Sequence, residues 1–498
     1  MKHVVYLFKL YLLMKRTKIV ATIGPASEKP EILTKMVESG LNVARLNFSH
    51  NKHAHHLMLI NNLRAVAKKT RRAVSLLQDL QGPRIRIGDV GTGVMVEDGQ
   101  AVSMTYSTKA YQAGKSVVIP MHYERLHQDL KSGSLILIDD GMIILEVKKI
   151  AGKMIDTIVK RGGLIRTHKG MNFPNATITA DPLTAKDLAD VEFGVKNKVD
   201  FVALSFVKDA ADIERLRSHI IRLERKYHKL VKSAKQPMTK IIAKIERIEA
   251  VDNIDEIIEA SDGIMVARGD LGIELPFEQV PLIQKDIVYR CSLIGKPVIV
   301  ATQMLESMMK SPLPTRAEVS DVANAILDGT DAIMLSGESA GGLYPIESVQ
   351  AMQRIAKNIE KVEFKIQQEL DSQLKQVKYL VDFIAYSAQD LAERMGVKAM
   401  ICFTQSGYTA RMISRYKSKV PLFVFTEDAN VRNQINLSWG AIPYQIKFNS
   451  SYKKILADAS KVLKQDGLVK KGDQVLVCAG QSLHLFSEDN FIKIDKIV

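Results

Sequence analysis

Apolar residues in this chain gather in short runs, separated by longer stretches where hydrophobic positions recur every three or four residues. The first spacing suits buried strands and the second suits amphipathic helices. The runs from the N-terminus are Ile19 to Ile23, Asn42 to Phe48, Val74 to Leu80, Phe201 to Val207, Ile241 to Glu246, Gly263 to Ala267, Pro297 to Ala301 and Ala332 to Leu335. Alternation of such runs with helix-like stretches predicts a parallel sheet joined by crossover helices, and eight strands close a parallel (β/α)8 TIM barrel. Each run ends in polar or glycine-bearing residues, where a barrel of this kind carries its active site.

Between the third and fourth runs, from about Gly88 to Pro174, short alternating segments such as Ser134 to Ile138 are punctuated by Gly and Asp. That pattern predicts a small inserted all-β domain, and its place at the catalytic rim suits a lid that excludes water. After Lys361 the pattern becomes that of an open α/β domain. Its expected elements are a helix at Leu380 to Met395, strands at Ala399 to Thr404 and Leu422 to Thr426, a helix at Ser451 to Leu463, and strands at Gln474 to Cys478 and Phe491 to Ile494. The expected organisation is therefore a barrel from 14–87 and 175–360, a lid at 88–174 and a C-terminal α/β regulatory domain at 361–498. Val4 to Met14 is too short an apolar run to span a bilayer and lacks a small-residue cleavage site, so residues 1–13 are read as an appendage.

The 498 residues are 46% apolar, ample for a large core in several domains. A formal net charge of +15 raises nucleic acid, membrane and anionic metabolites as partners without choosing among them. The basic run from Arg215 to Lys240 has helical spacing and is read as a solvated outer barrel helix. Cys291, Cys402 and Cys478 are widely spaced, which argues against a disulfide framework and fits a reducing cytoplasm.

Side chains two apart on a strand share a face, so at the barrel mouth they line the same rim. Arg45, Asn47 and Ser49 obey that spacing after the second run, as do Arg84 and Arg86 after the third and Lys244 and Glu246 on the fifth. Arg268 and Asp270 flank Gly269 after the sixth. Two carboxylates, Glu246 and Asp270, suit a hard divalent cation such as Mg²⁺ or Mn²⁺, while Lys244 and Arg45 suit the charge of a phosphoryl group in transit. Arg268 to Gly272 opens a helix, which places the Gly269 and Asp270 amides to receive a carboxylate. His53, His55 and His56 are read as surface or capping residues at a helix start, and Met304, Met308 and Met309 as packing.

The segments Thr22 to Ser27 (TIGPAS), Ala44 to His50 (ARLNFSH), Lys244-Ile245-Glu246, Met265 to Glu274 (MVARGDLGIE) and Ala301 to Glu306 (ATQMLE) resemble the signatures of pyruvate kinases, in the family's order. The resemblance spans roughly residues 15–498. It implies transfer of phosphate from phosphoenolpyruvate to ADP, giving pyruvate and ATP, by a cytoplasmic homotetramer with no nucleic-acid or membrane partner. By position, it implies that Arg45 contacts the phosphoryl group, Lys244 stabilises it in flight, and Glu246 and Asp270 hold Mg²⁺. Thr22, Arg86 and Lys169 would face the nucleotide, and Thr302 with the Gly269 and Asp270 amides would bind the carboxylate. Thr302 or a water near Ser336 would protonate the enolate. In the third domain, Thr404-Gln405-Ser406-Gly407-Tyr408-Thr409 matches the loop where the family binds a sugar-phosphate activator, although plain helix capping looks similar.

The chain departs from the family at one rim position. Relatives that need K⁺ usually carry Thr-Lys-Gly-Pro-Glu where this chain has Leu80-Gln81-Gly82-Pro83-Arg84. Asn47, Ser49, Asp79 and Leu80 mark the positions that would surround K⁺, but a guanidinium at Arg84 brings its own positive charge and repels the ion. K⁺-independent activity is therefore expected. The competing enzyme reading is a barrel-type, metal-dependent carbon–carbon lyase acting on a pyruvate-like substrate, which would share Glu246 and Asp270 but have little use for Lys244, Arg86 or Lys169.

Overall fold

The computed structural model describes residues 15–107, 109–111, 117–174, 176, 178–228, 238–361, 380–448, 451–479 and 491–498. The expected appendage, 1–13, lies outside the described residues, as does 229–237 of the basic run. The eight apolar runs form the strands Lys18–Thr22, Val43–Asn47, Ser75–Asp79, Phe201–Leu204, Lys240–Ile245, Gly263–Ala267, Val298–Ala301 and Ala332–Leu335. Each pairs in parallel with the next, and the first closes on the eighth, giving a barrel.

Alternation along each strand builds two layers. One set, including Val20, Val43, Leu77, Ile242, Met265 and Ile299, packs in a cluster of its own. The other set, including Ile19, Ala44, Leu76 and Ile241, packs with helix residues such as Leu33, Leu59 and Ile213. Strands buried on both faces read as continuous apolar runs, which is why the barrel is legible in the sequence. Leu437 of the C-terminal domain joins the first cluster and plugs the barrel from the end opposite the site.

The insertion is a six-stranded sheet in the order Met171–Asn172, Leu135–Ile138, Ile143–Ala151, Met154–Arg161, Ala101–Tyr106, Val118–Met121, beside a pair formed by Val94–Val96 and Gly163–Ile165. Its apolar core includes Ile85, Ile87, Phe173 and Ile178, so both segments that join the insertion to the barrel contribute to its packing. The C-terminal sheet runs Ala441–Gln445, Leu422–Thr426, Ala399–Phe403, Gln474–Ala479, Phe491–Lys496, with the last strand antiparallel. Phe403, Phe423 and Phe425 pack with the helix Tyr452–Gln465 on one side. Cys402 and Cys478, 76 positions apart in sequence, stand in register on adjacent strands as free buried thiols.

Candidate functional site

Toward the C-terminal ends of the strands the inner columns change from apolar to ionisable: Val43 leads to Arg45 and Asn47, Leu77 to Asp79, Ala203 to Ser205, and Ile242 to Lys244 and Glu246. Asp79 is 1% exposed and takes Arg45 Nε at 2.6 Å on one oxygen and Lys244 Nζ at 3.3 Å on the other. Burial alone would raise its pKa, but the charges of Lys244 and Arg45 together hold it below the ordinary carboxylate value.

Lys244 Nζ also lies 2.7 Å from Glu246 Oε1 and donates to Ser205 Oγ at 2.8 Å. Burial works against its charge, yet Asp79, Glu246 and Asp270 outweigh that, so its pKa is raised and the group stays an ammonium. Glu246 accepts the Phe206 N–H at 2.8 Å, from a residue in the left-handed region at φ 57°. Its pKa is raised by burial and by the charge of Asp270, against the pull of Lys244.

Thr22 accepts Arg45 Nη1 at 2.8 Å and donates to the Leu335 carbonyl at 3.0 Å, so it orients Arg45 within the barrel wall. Arg86 donates to the His168 carbonyl at 2.9 Å, and Lys169 pairs with Asp139 at 2.8 Å, which ties both to the inserted domain. Burial and the neighbouring Arg84 charge lower the Arg86 pKa. Arg84 reaches Asp140 at 3.6 Å, and both line a cavity of about 1080 Å³ that also borders Gly269 and Asp270. Asn47 and Asp79 are register neighbours, and Asn47 Oδ1 accepts the Ser49 N–H at 3.1 Å. The Leu80 carbonyl takes the Ser205 hydroxyl at 2.7 Å.

After the seventh strand, Thr302 and Gln303 sit at φ 69° and 53°, a costly conformation for a β-branched residue and a sign of a constrained site. Thr302 Oγ1 accepts the Gly269 N–H at 2.8 Å and donates to the Ala301 carbonyl at 2.6 Å. The Gly269 amide is thus partnered by Thr302 in this conformation. Arg268 turns away from the ionisable cluster, pairing with Asp321 at 2.7 Å and donating to the Thr302 carbonyl at 2.7 Å, and so braces the Thr302 turn. The Asp270 side chain has no hydrogen bond or ion pair among the described residues.

Residues beyond the sequence reading complete the site. Glu338, 3% exposed, accepts the Ser336 N–H at 2.7 Å and the Leu305 N–H at 3.1 Å, tying the turns after strands seven and eight. Asp190 accepts Lys186 Nζ at 2.6 Å and His53 Nε2 at 2.7 Å, while Lys186 also donates to the Phe48 carbonyl at 2.6 Å. His56, read as a surface or capping residue, is buried and stacks on Phe48 at 3.9 Å, because it lies on the core-facing side of the helix His53–Thr70 with Leu59, Ile60 and Leu63. Ser205 obeyed the same two-residue rim rule as the others. Glu338 and Asp190 carried no local signal. Met304 and Met308 are buried packing residues. In the third domain, Gly407 at φ 78° donates to Thr404 Oγ1 at 2.9 Å, closing a turn before the helix Tyr408–Ser414.

Among the described residues no group of three or more His, Cys, Asp or Glu forms a metal cage. The pair Glu246 and Asp270 fits a cation that takes its remaining ligands from substrate and water, since each carboxylate's charge is unfavourable to the other.

A family model for the pyruvate kinase barrel domain matches residues 14–349, and one for the pyruvate kinase alpha/beta domain matches 382–494. A pyruvate kinase of Sporosarcina psychrophila is 42% identical over 97% of this chain and 81% of its own length. One of Clostridium perfringens is 40% identical over 97% of this chain and all of its own. The crystal structure of a pyruvate kinase from Cryptosporidium parvum superposes with a TM-score of 0.90 at 34% identity, covering 98% of this chain and 97% of that one. These matches do not favour the lyase reading, and they place the chain in the pyruvate kinase family.

Proposed function

We propose that the cluster of Arg45, Asp79, Lys244, Glu246 and Asp270 is the phosphoryl-transfer centre through which this pyruvate kinase makes pyruvate and ATP from phosphoenolpyruvate and ADP. The observation that carries the reading is Lys244: a buried ammonium held between two carboxylates at a barrel mouth. An oxygen of the ADP β-phosphate forms a bond to phosphorus as the bond to the enolate oxygen breaks. Negative charge on the moving group meets Lys244 and Arg45, both already oriented, so no reorganisation is needed at that moment.

Mg²⁺ or Mn²⁺ bound at Glu246 and Asp270 would add Lewis-acid stabilisation of that charge. The substrate carboxylate is assigned to Thr302 and the Gly269 and Asp270 amides, which requires the Thr302 hydroxyl to release the Gly269 N–H. The enolate carbon then takes a proton, for which Thr302 and a water near Ser336 are the two candidates. Arg86 and Lys169 on the lid side, with Thr22 below Arg45, are assigned to the nucleotide side. Arg84 supplies the monovalent charge that K⁺ gives in relatives. Thr404 to Thr409 is assigned to a phosphate-bearing effector, a sugar phosphate or nucleotide, in a cytoplasmic homotetramer. Among the described residues no helix is long and apolar enough to cross a membrane.

The test is a coupled assay of ATP formation from phosphoenolpyruvate and ADP with Lys244→Met. Turnover falls by about 10²–10³-fold while the KM for ADP changes little. Unchanged turnover would remove Lys244 from the transfer step.

A further inference from the structure

The C-terminal domain meets the barrel across a seam that buries charge. Gly295 to Pro297, leading into the seventh strand, faces the helix Tyr408–Ser414 and the residues that follow it. A cavity there is lined by Lys296, Arg411, Arg415, Lys417, Ser438 and Asp331. Four of these six are cations, and one is a carboxylate.

Asp331 already has three partners. Its Oδ1 takes Lys417 Nζ and the Trp439 N–H, each at 3.0 Å, and its Oδ2 takes the Val298 N–H at 3.1 Å. Arg415 donates through Nη1 to the Leu293 carbonyl at 2.8 Å and lies 3.0 Å from Asp382, while Lys296 donates to the carbonyls of Glu259 and Ser261. Donors are left over. Arg415 Nε and Ser438 Oγ have no partner although their residues are 7% and 2% exposed. Arg411 makes no hydrogen bond or ion pair among the described residues, and its guanidinium lies 5.8 Å from the Tyr408 ring. Buried polar groups in folded proteins are satisfied, so unmatched donors beside surplus cations point to a missing acceptor. Burial lowers the pKa values of Lys296, Lys417 and Arg411, outweighing the Asp262 charge at Lys296 and Arg411 and the Asp331 charge at Lys417. A negative charge in the cavity would oppose that cost.

We propose that this seam cavity binds one small monatomic anion of the chloride class, held by Arg411, Arg415 Nε–H and the Ser438 hydroxyl, and that the anion ties the C-terminal domain to the barrel. The space open to a guest is about 10 Å³, room for a single species of water size. A water would need acceptors for its own two protons, and the one lining carboxylate already takes three hydrogen bonds. A halide accepts from every donor and donates nothing. The site is distinct from the barrel mouth and borders the Thr404 to Thr409 loop, since the Arg411 guanidinium lies against the Tyr408 ring.

The experiment has a structural and a solution arm. In crystals of the full chain grown with bromide replacing chloride, an anomalous peak is expected in contact with Arg411 and Ser438. In solution, chloride titrated against gluconate at constant ionic strength should raise the unfolding temperature saturably, by roughly 2–4 °C. Arg411→Gln and, separately, Ser438→Ala should lose most of that rise while keeping turnover. Water density at the position would overturn the proposal. So would stabilisation by phosphate or sulfate but not chloride, since it would mean a larger anion. A bromide peak without saturable stabilisation, or an equal response in both variants, would reduce it to an adventitious ion only.

Discussion

Arg84 carries a single-residue test of how the site obtains its charge. Its pair with Asp140 is long at 3.6 Å, and both side chains are substantially exposed, so the pair holds Arg84 only weakly. The guanidinium is free to turn toward substrate phosphates when they enter. Asp79, Asn47 and the Leu80 carbonyl, the groups expected around K⁺, already have protein partners in Arg45, the Ser49 amide and Ser205. Saturating K⁺ should therefore raise turnover by less than about tenfold over tetramethylammonium at equal ionic strength. Arg84→Glu should convert the enzyme to one that K⁺ activates. A large K⁺ response in the unmodified chain, or none in the variant, would show that the charge at position 84 is not what decides.

Between residue and domain, the helix Ala185–Lys196 behaves as a clamp on the second and third strands. Asp190 holds Lys186 and His53, Lys186 holds the Phe48 carbonyl, and Gln78, beside Asp79 on strand three, donates to the Asp190 carbonyl at 2.7 Å. A Cβ at Gly194 would fall 1.9 Å from Gln78 Oε1, so a larger residue there would have to displace the Gln78 amide. The clamp touches no reacting atom as described, but it positions the turn that follows Arg45 and Asn47. Asp190→Asn should lower kcat by about tenfold with little change in the KM for ADP, because a misplaced turn acts on the transfer step. Loss of one charged hydrogen bond should cost about 1.5–3 kcal/mol in urea unfolding. Steady-state kinetics and denaturant midpoints measured together separate the two effects, and a loss of stability with kcat intact would make the clamp purely structural.

The same clamp marks where sequence reading stops. Strand positions were legible because burial on both faces writes a continuous apolar run, and rim residues were legible because they keep the two-residue spacing. Ala441–Gln445 escaped because it is an edge strand, only partly buried and carrying Pro443. Glu338 and Asp190 escaped because a carboxylate's role depends on partners brought by other loops. The adjacency of Cys402 and Cys478 is likewise a product of strand order that spacing does not encode.

At the scale of the whole molecule, the underside of the barrel offers a pH-dependent contact at Asp200. Its carboxylate is buried, accepting the Leu76 N–H at 2.7 Å within the barrel and Asn433 Nδ2 at 3.0 Å from the C-terminal domain. Burial raises its pKa to about 7, although these hydrogen bonds and the charges of Arg64 and Arg432 pull the other way. The folded chain thus holds the proton more tightly than the unfolded chain, where an aspartate has its ordinary value of 3.8. The resulting stabilisation is full below the unfolded value, declines as pH rises above it, and is gone once pH passes about 7. Between pH 5 and pH 8 this group alone should cost of the order of 2–4 kcal/mol of stability. The domain interface should weaken over that range, and Asp200→Asn, which cannot ionise, should flatten the dependence. Urea unfolding from pH 5 to 8, followed by the fluorescence of Trp439 in the C-terminal domain, reads the effect directly. A variant whose slope with pH matches that of the parent would exclude Asp200 as its source. Because the seam cations lie in the same domain contact, the measurement belongs in gluconate, where chloride cannot contribute.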